Sequence, residues 1–157
     1  MTTFDLNGTT ITTSGNHPHL MAALRDELGV ISPKDGCAPS GQCGCCTVLV
    51  DGRARVACQT SMERAEGAQV VTLEGFNASE RDLYATTFAA HGALQCGFCT
   101  PGFVLASKAF LDKNPNPTPE EIERGLGGNL CRCGTYVGVR KAVMDAARAL
   151  KGGPLYG

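Results

Sequence analysis

The chain has 157 residues, 43% of them hydrophobic and 18% charged, with a formal net charge of −1. That balance excludes a disordered polyelectrolyte, and the mixing of acids and bases leaves no basic footprint for nucleic acid or a membrane surface. No run is apolar enough to span a bilayer, and Met1–Gly8 carries neither a basic n-region nor twin arginines, so a cytoplasmic location is expected.

The length suits one large domain or two small ones. Thr3 to Leu6 and Thr10 to Thr13 flank Asn7-Gly8, a two-residue hairpin signal. Leu20, Leu24 and Leu28 recur every four residues, which predicts a helix ending at Gly29. A loop rich in glycine and cysteine runs from Gly36 to Cys46. Thr47 to Val50 and Arg53 to Ala57 surround Asp51-Gly52 as a second hairpin, and Val70 to Leu73 reads as a closing strand. Hairpin, helix, cysteine loop, hairpin and strand is the order of a ferredoxin-like β-grasp domain, here over residues 1–77.

From residue 78 to 157 the pattern is helical. Helices are predicted for Glu80 to His91 and for Pro101 to Asp112, the latter with Thr100 as N-cap. Thr118-Pro119-Glu120-Glu121 reads as a capping box, and Tyr136, Val139, Val143, Ala146 and Leu150 mark one face of a fourth helix. The fold class expected is therefore α+β, with the β-grasp domain followed by an all-α four-helix domain.

Nine cysteines need an explanation, and their number is odd and their distribution clustered. Without an export signal, grouped cysteines point to metal rather than to a disulfide framework. The first group is Cys37-x5-Cys43-x2-Cys46-x11-Cys58. A 2Fe–2S cluster takes four thiolates, and the plant-type arrangement is C-x4-C-x2-C with a distant fourth cysteine. The first gap here is one residue longer, and Cys45 is surplus. Cys43 and Cys46 keep the x2 spacing, which leaves Cys45 as a small packed thiol, with a ligand role the alternative. Gly36, Gly41 and Gly44 suit a loop that wraps closely around a cluster.

The second group is Cys96-x2-Cys99-x31-Cys131-x-Cys133. On spacing alone, four thiolates also suit a closed zinc site. Both pairs fall at predicted helix ends, where free N–H groups favour anionic sulfur. Arg132 would either offset that charge or form an ordinary surface ion pair. His17, His19 and His91 read as surface residues. Gly125-Leu126-Gly127-Gly128 follows a helix rather than a strand, so no dinucleotide site is expected.

The strings GCAPSGQCGCCTVLVDG with Cys58, QCGFCTPG and GNLCRC together resemble the iron–sulfur small subunit of the xanthine oxidase family of molybdenum hydroxylases. The resemblance runs from Phe4 to about Leu150; the order Gly134-Thr135-Tyr136 differs from the Thr-Gly-Tyr of many relatives. It implies 2Fe–2S clusters on both groups, Cys37, Cys43, Cys46 and Cys58 holding the first and Cys96, Cys99, Cys131 and Cys133 the second. It also implies a molybdopterin cofactor on a large partner subunit and FAD on a medium one, in a heterotrimer or its dimer. Gln95 and Cys133 occupy the positions that would contact the pterin. The implied role is electron transfer with no bond chemistry on this chain. A free two-cluster carrier and a zinc-stabilised adaptor are the rival readings.

Overall fold

The computed structural model describes residues 1–154. Strands β1 (Thr2–Leu6) and β2 (Thr9–Thr13) pair antiparallel across Asn7 and Gly8. Both turn residues have positive φ, at 54° and 84°, as the tight hairpin turn requires. β3 (Thr47–Val50) and β4 (Arg53–Val56) repeat the device across Asp51 and Gly52. β5 (Gln69–Val71) runs parallel to β1 and antiparallel to β3, giving a five-stranded sheet in the order β2-β1-β5-β3-β4.

The Leu20–Leu28 segment differs from the regular helix expected. One α-turn, α1 (Leu20–Ala22), widens into a π-turn over Ala23–Glu27, because the Leu28 amide bonds to the Ala23 carbonyl five residues back. Gly29, at φ 67°, ends it. Leu20, Leu24, Phe4, Val48 and Val70 are buried together beneath the sheet. A four-residue helix, α2 (Met62–Ala65), capped by Ser61, had no recognisable pattern in the sequence. The last strand stops at Val71, short of Leu73, which opens a 3-10 turn instead.

The remaining helices are α3 (Ala78–Ala90), α4 (Thr100–Lys113), α5 (Pro119–Gly125) and α6 (Tyr136–Leu150). Asn77 with Glu80, and Thr118 with Glu121, form complete capping boxes. In α4 the expected cap is displaced: Thr100 is already helical, and Cys99 stands at the cap position with no side-chain bond. Phe88, Phe103, Ile122, Val139 and Val143 are among the side chains of the helical core. His91 is not a free surface residue, since it pairs with the buried Asp145 of α6. The molecule is thus a mixed α/β protein, and no helix among the described residues is long and apolar enough to cross a membrane.

The two halves meet where α4 packs on β3 and β4. The approach is limited by two glycines. A Cβ on Gly102 would lie 2.3 Å from the Gly44 carbonyl oxygen, and one on Gly44 would lie 2.6 Å from that of Gly128. Alanine is a better helix former than glycine by up to about 1 kcal/mol. At Gly102 the clash is with backbone and cannot relax by a rotamer change, so Gly102→Ala is expected to destabilise by roughly 1–3 kcal/mol. Urea unfolding of the purified protein measures the sign directly.

Candidate iron–sulfur centres

The first cysteine loop is tied at its start by Ser32, whose N–H and hydroxyl both donate to the Glu74 carboxylate at 3.0 and 2.6 Å. The Lys34 amide then bonds to the Cys45 carbonyl at 3.0 Å. Inside the loop, backbone N–H groups point at sulfur. Ser40 donates to Cys37 at 3.3 Å, Cys45 to Cys43 at 3.4 Å, and Cys58 to Cys46 at 3.4 Å. Cys58 reaches the loop from a 3-10 turn directly after β4. Gly36 is needed for contact: a Cβ there would sit 3.0 Å from the Cys43 sulfur and 3.1 Å from that of Cys45.

These environments separate the thiols. The Ser40 hydroxyl, helped by nearby amides, holds Cys37 down to about 6. Burial pushes Cys45 and Cys46 up to about 12.

The second group is assembled from the turn before α4 and the turn before α6. The Cys96 and Cys133 sulfurs are 3.6 Å apart, and Cys99 and Cys131 are buried in the same helical core. Burial raises Cys99 to about 12. Burial also opposes ionisation of Cys131, but the Thr135 hydroxyl at 3.1 Å and amide at 3.5 Å outweigh it and hold the thiol at about 7. The Gln95 side chain donates to the Cys133 carbonyl at 3.4 Å, which brings together the two residues expected to contact a pterin. Cys96 and Cys133 are exposed, whereas Cys99 and Cys131 are buried.

Spacing in the sequence gave no sign that the two groups adjoin. The Leu130 amide, next to Cys131, donates to the Cys43 carbonyl at 2.8 Å. Buried Asn129 donates to the Gly44 carbonyl at 3.0 Å and to the Thr47 hydroxyl at 3.4 Å. A cavity of about 750 Å³ lies between the groups, lined by Cys43, Cys45, Cys96, Cys99, Cys131 and Arg132 among others. Four cysteines drawn from two turns, two of their sulfurs 3.6 Å apart, fit a two-iron cluster, which takes two thiolates on each iron.

Residues 72–144 match the family of the 2Fe–2S binding domain. The chain is 43% identical over 128 residues to the nicotinate dehydrogenase small FeS subunit of Eubacterium barkeri, covering 81% of each protein. It is likewise 43% identical over 132 residues to the xanthine dehydrogenase iron-sulfur-binding subunit of Escherichia coli O157:H7, covering 82% of each. The chain belongs to the iron–sulfur small subunits of the xanthine oxidase family of molybdenum hydroxylases. Solved structures agree with that membership. An aldehyde oxidoreductase from Desulfovibrio desulfuricans superposes with a TM-score of 0.84 at 43% identity, over 96% of this chain and 17% of that one. For quinoline 2-oxidoreductase from Pseudomonas putida 86 the TM-score is 0.81 at 36% identity, over 94% and 95% of the two chains.

Asn129 tests the join between the groups. Asn129→Ala removes the donor to Gly44 and Thr47 inside a buried contact, which is expected to lower stability by about 1–3 kcal/mol. The same change at exposed Asn16 should stay within about 0.5 kcal/mol. Urea unfolding of the three proteins side by side makes the comparison.

Proposed function

We propose that the chain is the electron-transfer subunit of a heterotrimeric molybdenum hydroxylase. In this reading it relays electrons between a molybdopterin site on a large subunit and FAD on a medium subunit. Residues 1–77 form a ferredoxin-type β-grasp domain in which Cys37, Cys43, Cys46 and Cys58 hold one 2Fe–2S cluster. Residues 78–157 form a four-helix domain in which Cys96, Cys99, Cys131 and Cys133 hold the other. Residues 155–157 at its end lie outside the described residues.

When bound, each cluster supplies a one-electron carrier. The chain's own residues supply thiolates and aim backbone N–H dipoles at them, and they bury Cys43, Cys46 and Cys58 away from water. The observation that carries the reading is the 2.8 Å hydrogen bond from the Leu130 amide to the Cys43 carbonyl. It joins a ligand of one set to the neighbour of a ligand in the other.

Exposure supports the partners. Around Cys96 and Cys133 the surface carries Leu94, Phe98, Leu130, Tyr136 and Val137, all exposed. An apolar rim around two exposed thiols is what a large subunit would cover. Gln95 and Cys133 are then placed to contact the pterin, and the assembly is one heterotrimer or its dimer in the cytoplasm. No residue here is assigned to bond chemistry.

Elemental analysis and EPR of the protein purified with its partners test this reading. About four irons and four labile sulfides per chain, two signals after dithionite reduction, and co-purifying molybdenum and flavin are expected. Two irons with one zinc would remove the second cluster. Absence of molybdenum would make the chain a free carrier.

A further inference from the structure

Cys96 and Cys133 are exposed, so packing in the core does not place their sulfurs. The backbone must do it. Cys96 hangs on the turn that follows α3, and Cys133 lies just before α6 begins at Tyr136. That turn is built tightly. The Ala93 amide bonds to the Phe88 carbonyl at 2.8 Å and the Gly92 amide to that of Ala89 at 3.2 Å, with Gly92 at φ 59°. Such a pair of bonds around a left-handed glycine is a common way to end a helix.

The turn is fastened to α6 at two levels. The His91 ring bonds through Nε2 to the Asp145 carboxylate. About two helical turns earlier on the same face of α6, Gly138 meets the backbone of the turn. A Cβ on Gly138 would lie 2.6 Å from the His91 carbonyl oxygen and 3.0 Å from the Ala93 Cα. Gln95 completes the path through its bond to the Cys133 carbonyl. Asp145 is only 1% exposed. A buried carboxylate is costly unless paired, and an apolar residue would serve the core as well. Arg148 pairs with Asp145 inside α6, so among the described residues only His91 ties that carboxylate to another element.

We propose that His91 is a positioning residue of the second centre: anchored on Asp145, it fixes the turn from 91 to 96 against α6 and so holds the exposed Cys96 sulfur beside that of Cys133. The inference rests on the two-cluster reading above. Its physical basis is the reach of the supporting contacts. A thiolate ligand keeps its direction only as well as the backbone that carries it, and groups beyond the ligands tune a cluster through that orientation. Removing the His91 ring frees the start of the turn from α6 and leaves the Gln95 bond as its one side-chain tie to the other cysteine pair.

The measurement is EPR of the dithionite-reduced protein purified with its partners, with iron counted in each sample. Cys96→Ser, which alters a proposed ligand, marks the signal that belongs to the second centre. His91→Ala is expected to shift or broaden that signal and leave the other unchanged. His91→Gln, which keeps a donor toward Asp145, should return it toward its original form. Arg148→Ala takes the other cation from Asp145 without touching the turn, so both signals should stay as they were. Gly138→Ala keeps the ion pair but displaces the turn, and it serves where His91→Ala fails to fold; the second-centre signal should change again. Unchanged signals in His91→Ala, or in Gly138→Ala where it stands in, would overturn the inference and leave the two-cluster reading standing. An equal change in Arg148→Ala would also overturn it, by reducing His91 to a counter-charge. About two irons in the unaltered protein, against the expected four, would overturn the two-cluster reading and the inference with it.

Discussion

The hydrogen bond between the Leu130 amide and the Cys43 carbonyl is the constraint on which the rest of the molecule depends. It forms only because the strand-bearing half and the helical half come into backbone contact, and that contact requires glycine at 44 and 102. Asn129 closes the same seam by reaching the Gly44 carbonyl and the Thr47 hydroxyl. Sheet, capping boxes and helical core all serve to bring two short loops to this place. A separation of the halves by one side chain would leave each cysteine group locally intact and disconnect the pair.

Burial differs among the cysteines. Cys96 and Cys133 are exposed and Cys37 is half-buried, while Cys43, Cys45, Cys46, Cys58, Cys99 and Cys131 are buried. The amides aimed at Cys37, Cys43, Cys46 and Cys131 supply fixed dipoles beside those sulfurs.

Local features were legible in the sequence because local physics decides them. Asn7-Gly8 and Asp51-Gly52 announced their hairpins, since few other residue pairs tolerate positive φ twice in succession. The Thr118–Glu121 box announced α5. The Leu20–Leu28 periodicity located a helical segment but not its π-turn, because a five-residue hydrogen bond leaves the apolar spacing almost unchanged. The α2 helix was too short to carry a period. His91 was misread because its partner Asp145 lies 54 residues away. The cysteine groups stood out through their spacing, yet their adjacency did not. It depends on Asn129 meeting Gly44 across 85 residues, and no local pattern encodes such a contact. Nothing local to Gly102 marks it as the residue that meets the Gly44 carbonyl.

The central claim is that two clusters lie side by side across the Cys43–Leu130 contact. Low-temperature EPR of the fully reduced protein tests it most directly, because two paramagnetic centres held this close split and broaden one another's signals. The account predicts two signals with mutual splitting that disappears when only one centre is reduced. Two sharp signals with no mutual splitting, or a single signal at full reduction, would contradict it.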